Sequence, residues 1–529
     1  MRISTNQIYD ASSANYQRNY AKFIQAGEQT TTGVKLNSAS DDPVGAARVL
    51  QLAQQNSMLD QYASNITTIN YNAANTETAL ESIGTALQTI SELVIKGGNG
   101  AYTDADRIST AEQIKQLQSQ LLGLMNSQDA NGRYLFSGSD AAQPPYSMNS
   151  DGTYSYHGNQ TSVGLAVGDG LILPSNTTGW EAFDKAVNTT RTSLTATGAT
   201  PNDDKFNMSS GIVSSTTTYN SSFIAGQPYT LSIVSGPQYA ITDAAGNDVT
   251  GDASTAGAFS FANSENQLIT FRGVDLNLNI NLSAAESVDA ATAEGVLLGR
   301  TYELSSTPPS ISPVRSAGNT SAAVITTAAV GTTAAEKELF NTTFPTGGAV
   351  LKFVPGGYEL YAAPLSNNNP PVAVGTGSGP TISAAGVSFT ISGTPNDGDQ
   401  FVVESSTHQT KNVLNTLTDV IKALTTPTDG SAVGLQKLNA SLNSAMGNIN
   451  MALEQSSTAR SAIGARQNAA TDQGVTNDLL KGNNTVESQS FTKADEMEAA
   501  TQLTLQKNIL AASQQVFLQL SSLNLFSKL

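Results

Sequence analysis

A ladder of apolar and small positions runs through Leu52, Gln55, Leu59, Tyr62, Ile66, Ile69, Ala73, Thr76, Leu80, Ile83, Leu87, Ile90 and Val94, in steps alternating strictly between three and four residues. A second ladder runs through Leu435, Leu438, Leu442, Ala445, Ile449, Ala452, Ser456, Ala459 and Ile463. A mean repeat of 3.5 residues lays one stripe along a slightly supercoiled helix, and that stripe must face another helix. Stripes near opposite ends of one chain can meet only if the ends come together. The pattern therefore predicts an antiparallel coiled-coil rod built from both chain ends. Its core is Leu59, Ile66, Ile69, Leu80, Ile83, Leu87, Ile90, Leu438, Leu442, Ile449 and Ile463. Between the ladders Gly, Pro, Asn, Ser and Thr are frequent and apolar residues alternate. Val274, Leu276, Leu278, Ile280 and Leu282 mark one face of a half-buried strand. The fold class is α+β, a helical rod with an inserted β-rich outer domain, which suits a fibre subunit better than an enzyme.

Three layers follow. Residues 1–34 and 485–529 are terminal helices, 35–190 and 405–484 a helical rod domain with β-hairpins, and 191–404 the inserted surface-exposed β-rich domain. Tyr9, Tyr16 and Phe23 lie seven apart on an otherwise polar segment. One thin stripe does not stabilise an isolated helix, so this segment is expected to be disordered until it finds a partner. The last helix carries Leu505, Ile509, Ala512, Val516, Leu520 and Leu523. Asp42 before Pro43 predicts an N-cap with Pro at the first helical position, and the Gly-rich stretch Lys96–Gly100 a stop. A third helix is expected from about Asp104. Asn131-Gly132 predicts a tight turn, with a strand over Arg133–Phe136 after it. Leu414, Leu417, Ile421 and Leu424 mark the return of helix.

The β-region carries a hint of duplication. Gly273–Leu278 echoes Gly386–Ile391. Leu231–Val234 with Tyr239 and Ile241 resembles Leu351–Val354 with Tyr358 and Leu360. Two tandem β-modules would account for this; so would the chance likeness of Gly-rich hairpins.

Chemistry is sparse. The net charge of −17 disfavours nucleic acid and anionic membranes as partners. There is no cysteine for a disulfide, a thiolate metal site or a nucleophile. No secretory signal is apparent at the N-terminus and no apolar run is long enough to span a bilayer. The two histidines, His157 and His408, flank the β-region and suit strand edges better than a zinc or haem site. Asp41-Asp42 is a helix cap rather than an acid–base pair. Gly375–Gly379 lacks the lysine of a phosphate loop and suits a flexible loop. Asn396–Asp399 has the look of a calcium loop but lacks the closing glutamate, so a turn is expected. The lone Trp180 is expected to fill core. No catalytic residue, cofactor or metal site is expected, and the chain is expected not to be an enzyme.

Particular stretches carry a family resemblance: Met1–Ser4, Asn37-Ser38-Ala39-Ser40-Asp41-Asp42-Pro43-Val44-Gly45-Ala46-Ala47-Arg48, Asn131–Gly138, Tyr154–Gly158, Ala459–Asn468 and the terminal helix to Leu529. Over residues 1–190 and 405–529 the chain resembles the flagellin superfamily, more closely its hook–filament junction members. The resemblance implies a ring-forming subunit that binds copies of itself, with hook-associated protein 1 below and flagellin above. It implies extracellular placement in the flagellum, export through the flagellar type III channel without a cleaved signal, and an export chaperone on the C-terminal helix. The inner assembly layer would use Tyr9, Tyr16 and Phe23 with Leu505, Ile509, Val516 and Leu520. Arg460 and Arg466 would make intersubunit hydrogen bonds or be solvated helix arginines. The alternatives are flagellin itself and, from another class, a secreted adhesin or enzyme displayed on a helical stalk.

Overall fold

Helix α1 spans Thr5–Thr32, α2 Pro43–Gly97, α3 Asp104–Met125, α4 Ala334–Thr343, α5 Val413–Thr425, α6 Ala432–Thr492 and α7 Glu496–Phe526. These belong to a computed structural model describing residues 5–139, 141–149, 152–262, 266–316, 318–331, 333–345, 347–365 and 369–526. Side chains cap the helices as the local sequence dictates. The Asp42 carboxylate accepts from the amides of Val44 (3.2 Å) and Gly45 (2.9 Å), directly before Pro43. Thr103 and Asp106 form a reciprocal capping box at α3. Asp495 accepts from the amides of Met497 (2.9 Å) and Glu498 (3.1 Å). The last helix therefore starts at Glu496, not near 485, and α6 runs on to Thr492.

The chain divides into two units. The first comprises Met1–Ala74, Val163–Ser175 and Ile463–Leu529. Within it α2 runs antiparallel to α6: Arg48 Nε meets Glu487 Oε1 at 2.7 Å, Asn484 Nδ2 donates to Asn56 Oδ1 at 3.1 Å, and Lys481 pairs with Asp60. Strands β3 (Gly164–Gly168) and β4 (Leu171–Pro174) form a hairpin against these helices. Val167 joins Ile66, Ile69 and Ala470 in one apolar cluster. Asn477 Nδ2 donates to the Val167 carbonyl at 2.8 Å, and Asn65 Nδ2 to that of Ala166 at 2.7 Å. The second heptad ladder thus continues past Ile463 through Ala470 and Asn477, both buried. Alanine and asparagine carry no apolar signal, so the sequence pattern ends too early.

The second unit comprises Asn75–Ser162 and Asn176–Ala462. Here Thr76, Leu80, Ile83, Leu87, Ile90 and Val94 of α2 are buried, as are Leu438, Leu442, Ala445, Ile449, Ala452, Ser456 and Ala459 of α6. Of the anticipated rod core only Leu59 is no more than half-buried. Helices α3 and α5 pack on each other, and Gln118 Nε2 donates to the Leu414 carbonyl at 2.8 Å. The turns at one end are locked by buried Arg107, which donates to Thr428 Oγ1 (2.8 Å) and pairs with Asp104 (3.4 Å) and Asp429 (3.5 Å).

A hairpin of β1 (Tyr146–Met148) and β2 (Tyr154–Tyr156) is anchored beside Phe136. The stretch Arg133–Phe136 is not a strand. Its carbonyls serve other partners: that of Phe136 accepts from the Gly179 amide (2.7 Å) and the Tyr156 hydroxyl (2.9 Å). Phe136 itself is buried against Phe183, with ring centroids 5.0 Å apart. Trp180 is half-buried at the start of the Trp180–Asp184 π-turn rather than in the core.

The β-region of this unit is two copies of one topology. The first copy holds β5 (Thr192–Thr197), β6 (Phe206–Met208), β7 (Ile212–Val213), β8 (Tyr229–Val234), β9 (Gln238–Thr242), β10 (Gln267–Phe271), β11 (Val274–Ile280) and β12 (Thr301–Ser306). The second holds β13 (Ser310–Arg315), β14 (Val324–Val330), β15 (Ala349–Val354), β16 (Gly357–Ala362), β17 (Ala373–Thr376), β18 (Thr381–Ala384), β19 (Val387–Ser392) and β20 (Gln400–Ser406). Pairing runs β9-β8-β12-β5 and β6/β7-β11-β10 in the first, and β17-β16-β15-β20-β13-β14-β19-β18 in the second. The order of partners corresponds, except that the second copy joins β13 to β14 in one sheet where the first forms two, and that β7 and β17 have no counterpart. Both copies put an aromatic pair on a helix before the third strand pair: Tyr219 and Phe223, and Phe340 and Phe344 on α4, each pair with centroids 5.0 Å apart. Both then turn through two residues with positive φ, Arg272-Gly273 and Ala385-Gly386. A side chain on Gly273 or Gly386 would strike the backbone of the aromatic helix, so glycine is required there twice for one reason. Each copy has its own apolar core. The loop Asn396–Asp399 is a clasp in the second: buried Asp399 accepts from the amides of Thr320 (2.8 Å) and Asn396 (2.9 Å) and from the Ser321 hydroxyl. Burial alone would raise this carboxyl, but those hydrogen bonds outweigh it and hold it at about 2. Gly375 and Thr376 lie in β17, so the Gly375–Gly379 stretch is only partly loop.

Candidate assembly interface

Within the first unit α1 and α7 pack along their lengths. Tyr9 and Tyr16 both lie against Phe517, with centroids at 5.5 and 5.9 Å. Asn19 Nδ2 donates to Ser513 Oγ at 2.6 Å, Leu503 lies on the side-chain side of Gly27, and Thr30 Oγ1 donates to the Ala499 carbonyl at 3.2 Å. The connections are stitched as well: the Lys35 amide donates to the Thr492 carbonyl (2.7 Å) and the Ala494 amide to that of Gly33 (2.9 Å). Asp41 folds the loop before α2, accepting from the amides of Asn37 (3.1 Å) and Ser38 (2.8 Å) and from Gln25 Nε2 (2.7 Å). The acidic pair Asp41-Asp42 thus has two structural tasks, a loop clasp and a helix cap.

The face of α7 that meets α1 is Ala499, Leu503, Gln506, Leu510, Ser513 and Phe517, again a 3.5-residue repeat. It is not the face expected from apolar strength. Leu505, Ile509 and Val516 are 48%, 37% and 52% exposed, and the side chain of Leu520 lies outside the described residues. The tyrosine-rich face of α1 carries Asn19 in its middle and selects the more polar side of α7, which leaves the stronger apolar stripe outside. Tyr9, Tyr16 and Phe23 are half-buried on the α1 side, while Ile8, Tyr20 and Ile24 are exposed. An apolar stripe on an exposed helix face is an unmet burial demand.

Arg460 Nη2 pairs with Glu77 at 3.6 Å inside the second unit, so an intramolecular partner already engages it. Arg466 is half-buried and also has an interaction within the chain. His157 Nε2 lies 2.8 Å from Ser147 Oγ on the β1–β2 hairpin, and His408 sits in the connection after β20. Among the described residues no helix is long and apolar enough to cross a membrane.

Residues 3–141 match the family described as the bacterial flagellin N-terminal helical region. The chain is 33% identical over 184 residues to the flagellar hook-associated protein 3 of Salmonella typhimurium, covering 35% of this chain and 57% of that protein. To the protein of the same name from Escherichia coli K12 it is 32% identical over 184 residues, with the same coverage. The aligned part of the chain thus spans little more than half the length of these relatives. A solved structure of hook-associated protein 3 from Legionella pneumophila aligns over 83% of this chain and 97% of that one, at 18% identity and a TM-score of 0.47.

Proposed function

We propose that this chain is a structural subunit of the bacterial flagellum, forming the ring that joins hook-associated protein 1 to the flagellin filament. The observation that carries the reading is the terminal helix pair: its seam buries little, and its outer face exposes Leu505, Ile509 and Val516. Likeness in sequence to hook-associated protein 3 supports it. The subunit leaves the cell unfolded through the flagellar export channel, escorted by a chaperone on α7. At the hook tip the terminal pairs of neighbouring copies bury their stripes against one another. Apolar burial drives the step, and the entropy of ordering the termini opposes it, so assembly needs a template. The chain works by assembly and performs no catalysis.

The test is deletion of the gene, with electron microscopy of the cell surface and a gel of the culture medium. Bare hooks with abundant flagellin in the medium are expected. Bare hooks with no flagellin lost would make this chain the filament subunit instead. Normal filaments would overturn both.

A further inference from the structure

A cleft of ≈ 620 Å³ lies in the second unit between the first β-module and helices α5 and α6. That volume suits a bound small molecule. Its strand wall is an asparagine ladder: Asn277 and Asn279 on β11, with Asn207 paired directly opposite Asn279 on β6. Asn281 and Gln436 exchange hydrogen bonds at 2.8 and 2.9 Å beside it. Asn279 is only 8% exposed, yet among the described residues its amide has no hydrogen-bond partner. What little of Asn279 is exposed includes its amide, which is held on a buried strand and offers two donors and an acceptor to whatever fills the cleft.

The repeat sharpens the point. Counting from the shared glycine turn, Asn277 and Asn279 correspond to Thr390 and Ser392 of the second module, both solvent-exposed. The same strand face carries amides only where it looks onto the helices.

Charge narrows the ligand. The lining holds three lysines and one aspartate, in a chain of net charge −17. Lys411 is paired with Asp419 at 2.5 Å and Lys437 with Asp204 at 2.8 Å. Lys422 has no carboxylate partner among the described residues. We infer that this cleft binds a short acidic saccharide: its carboxylate meets Lys422, and its hydroxyls meet the asparagine amides and the serine and threonine hydroxyls opposite. A lone cation set among satisfied pairs attracts one carboxylate, and side-chain amides are bidentate partners for vicinal hydroxyls.

The test is calorimetric titration of the full-length chain with trigalacturonate, and separately with neutral maltotriose, at low and high salt. Saturable binding of trigalacturonate is expected. Higher salt and Lys422→Gln should each weaken it, the substitution about tenfold. Asn279→Ala should weaken it similarly, and Lys337→Gln on α4 should not. Because Asn279 lies in a buried strand, the exposed Lys422→Gln variant, with an unchanged circular dichroism spectrum, decides the matter if the other misfolds. Absence of binding at millimolar trigalacturonate, equal binding of maltotriose, or full affinity in Lys422→Gln would each overturn the inference.

Discussion

Two helix pairs are built from the same 3.5-residue repeat and do opposite things with it. In α2 and α6 the repeat places Leu80, Ile83, Leu87, Ile90, Leu442 and Ile449 where water does not reach. In α1 and α7 it buries only Ala26, Ala499 and Leu510 among the described side chains, and the seam holds Asn19, Ser513 and Gln506. The strongest apolar stripe of α7 faces outward instead. A repeat therefore says that a helix has a partner, while its composition says whether that partner is enough. The inner ladder is a stability device. The terminal pair is marginal in isolation and keeps its best apolar surface for another molecule.

The largest effect that could break this contrast is a core truncation. Leu87→Ala should cost about 3 kcal/mol, a buried leucine leaving a cavity, and lower the urea midpoint accordingly. Val516→Ala, on the exposed stripe, should stay within about 0.5 kcal/mol of the parent. Val516→Asp should leave the monomer's midpoint unchanged and still stop filaments from forming on complemented cells. Equal destabilisation by Leu87→Ala and Val516→Ala would mean the stripe is already buried in the monomer.

What could be seen in the residues beforehand follows the same division. The ladder from Ile66 to Val94 was legible because its steps and its large aliphatic side chains agree. Asp42-Pro43 was legible because a cap is local chemistry, and Val274–Leu282 because β11 shows one face to an apolar core. The partner-facing side of α7 was not, since burial there follows Tyr9, Tyr16 and Asn19 on another helix rather than its own hydrophobicity. Arg133–Phe136 looks like a strand, but the Arg133 carbonyl closes a local turn with the Asp129 amide and that of Phe136 goes to Gly179 and Tyr156, far along the chain. The paired β-modules were half-visible: their glycine turns and alternating strands echo each other, while the shared order of strand partners exists only in three dimensions. The asparagine ladder reads as an ordinary solvent face until α5 and α6 lie across from it.

A pH titration sharpens the comparison next, because a half-buried carboxylate of the second unit ties the β1–β2 hairpin to the start of α5. Asp184 accepts from the Tyr146 hydroxyl (2.5 Å) and from Asn412 Nδ2 (2.8 Å), and Asn412 Oδ1 caps α5 at the Leu414 amide (2.8 Å). Burial pushes this carboxyl up to about 6, against the pull of those two hydrogen bonds. The folded state then binds a proton more tightly than the unfolded chain. Stability from this group rises as pH falls from 7 through 6, and levels off below the ordinary carboxyl range. The full gain should be about 3 kcal/mol. Asp184→Asn should lack that slope, so the slope should appear in full in the difference between the parent and variant stability–pH curves. Hydrogen exchange should place the change in residues 146–156 and 413–425. An identical slope in parent and variant would refute the assignment.

The smallest effect lies in the terminal seam. Among the described residues Gln506 Oε1 is buried there without a partner, and an unmet acceptor costs about 1 kcal/mol or more. Gln506→Leu removes the acceptor and adds apolar surface on the side already facing α1. Amides of α1 and α7 should become about fivefold better protected from exchange, the equivalent of about 1 kcal/mol, while those of residues 80–94 stay as they were. Such a variant should join filaments no less readily, because a pair already ordered loses less entropy on assembly. If protection does not change, the polar seam is not what keeps the pair marginal, and the thin aromatic contact of Tyr9 and Tyr16 on Phe517 must account for it alone.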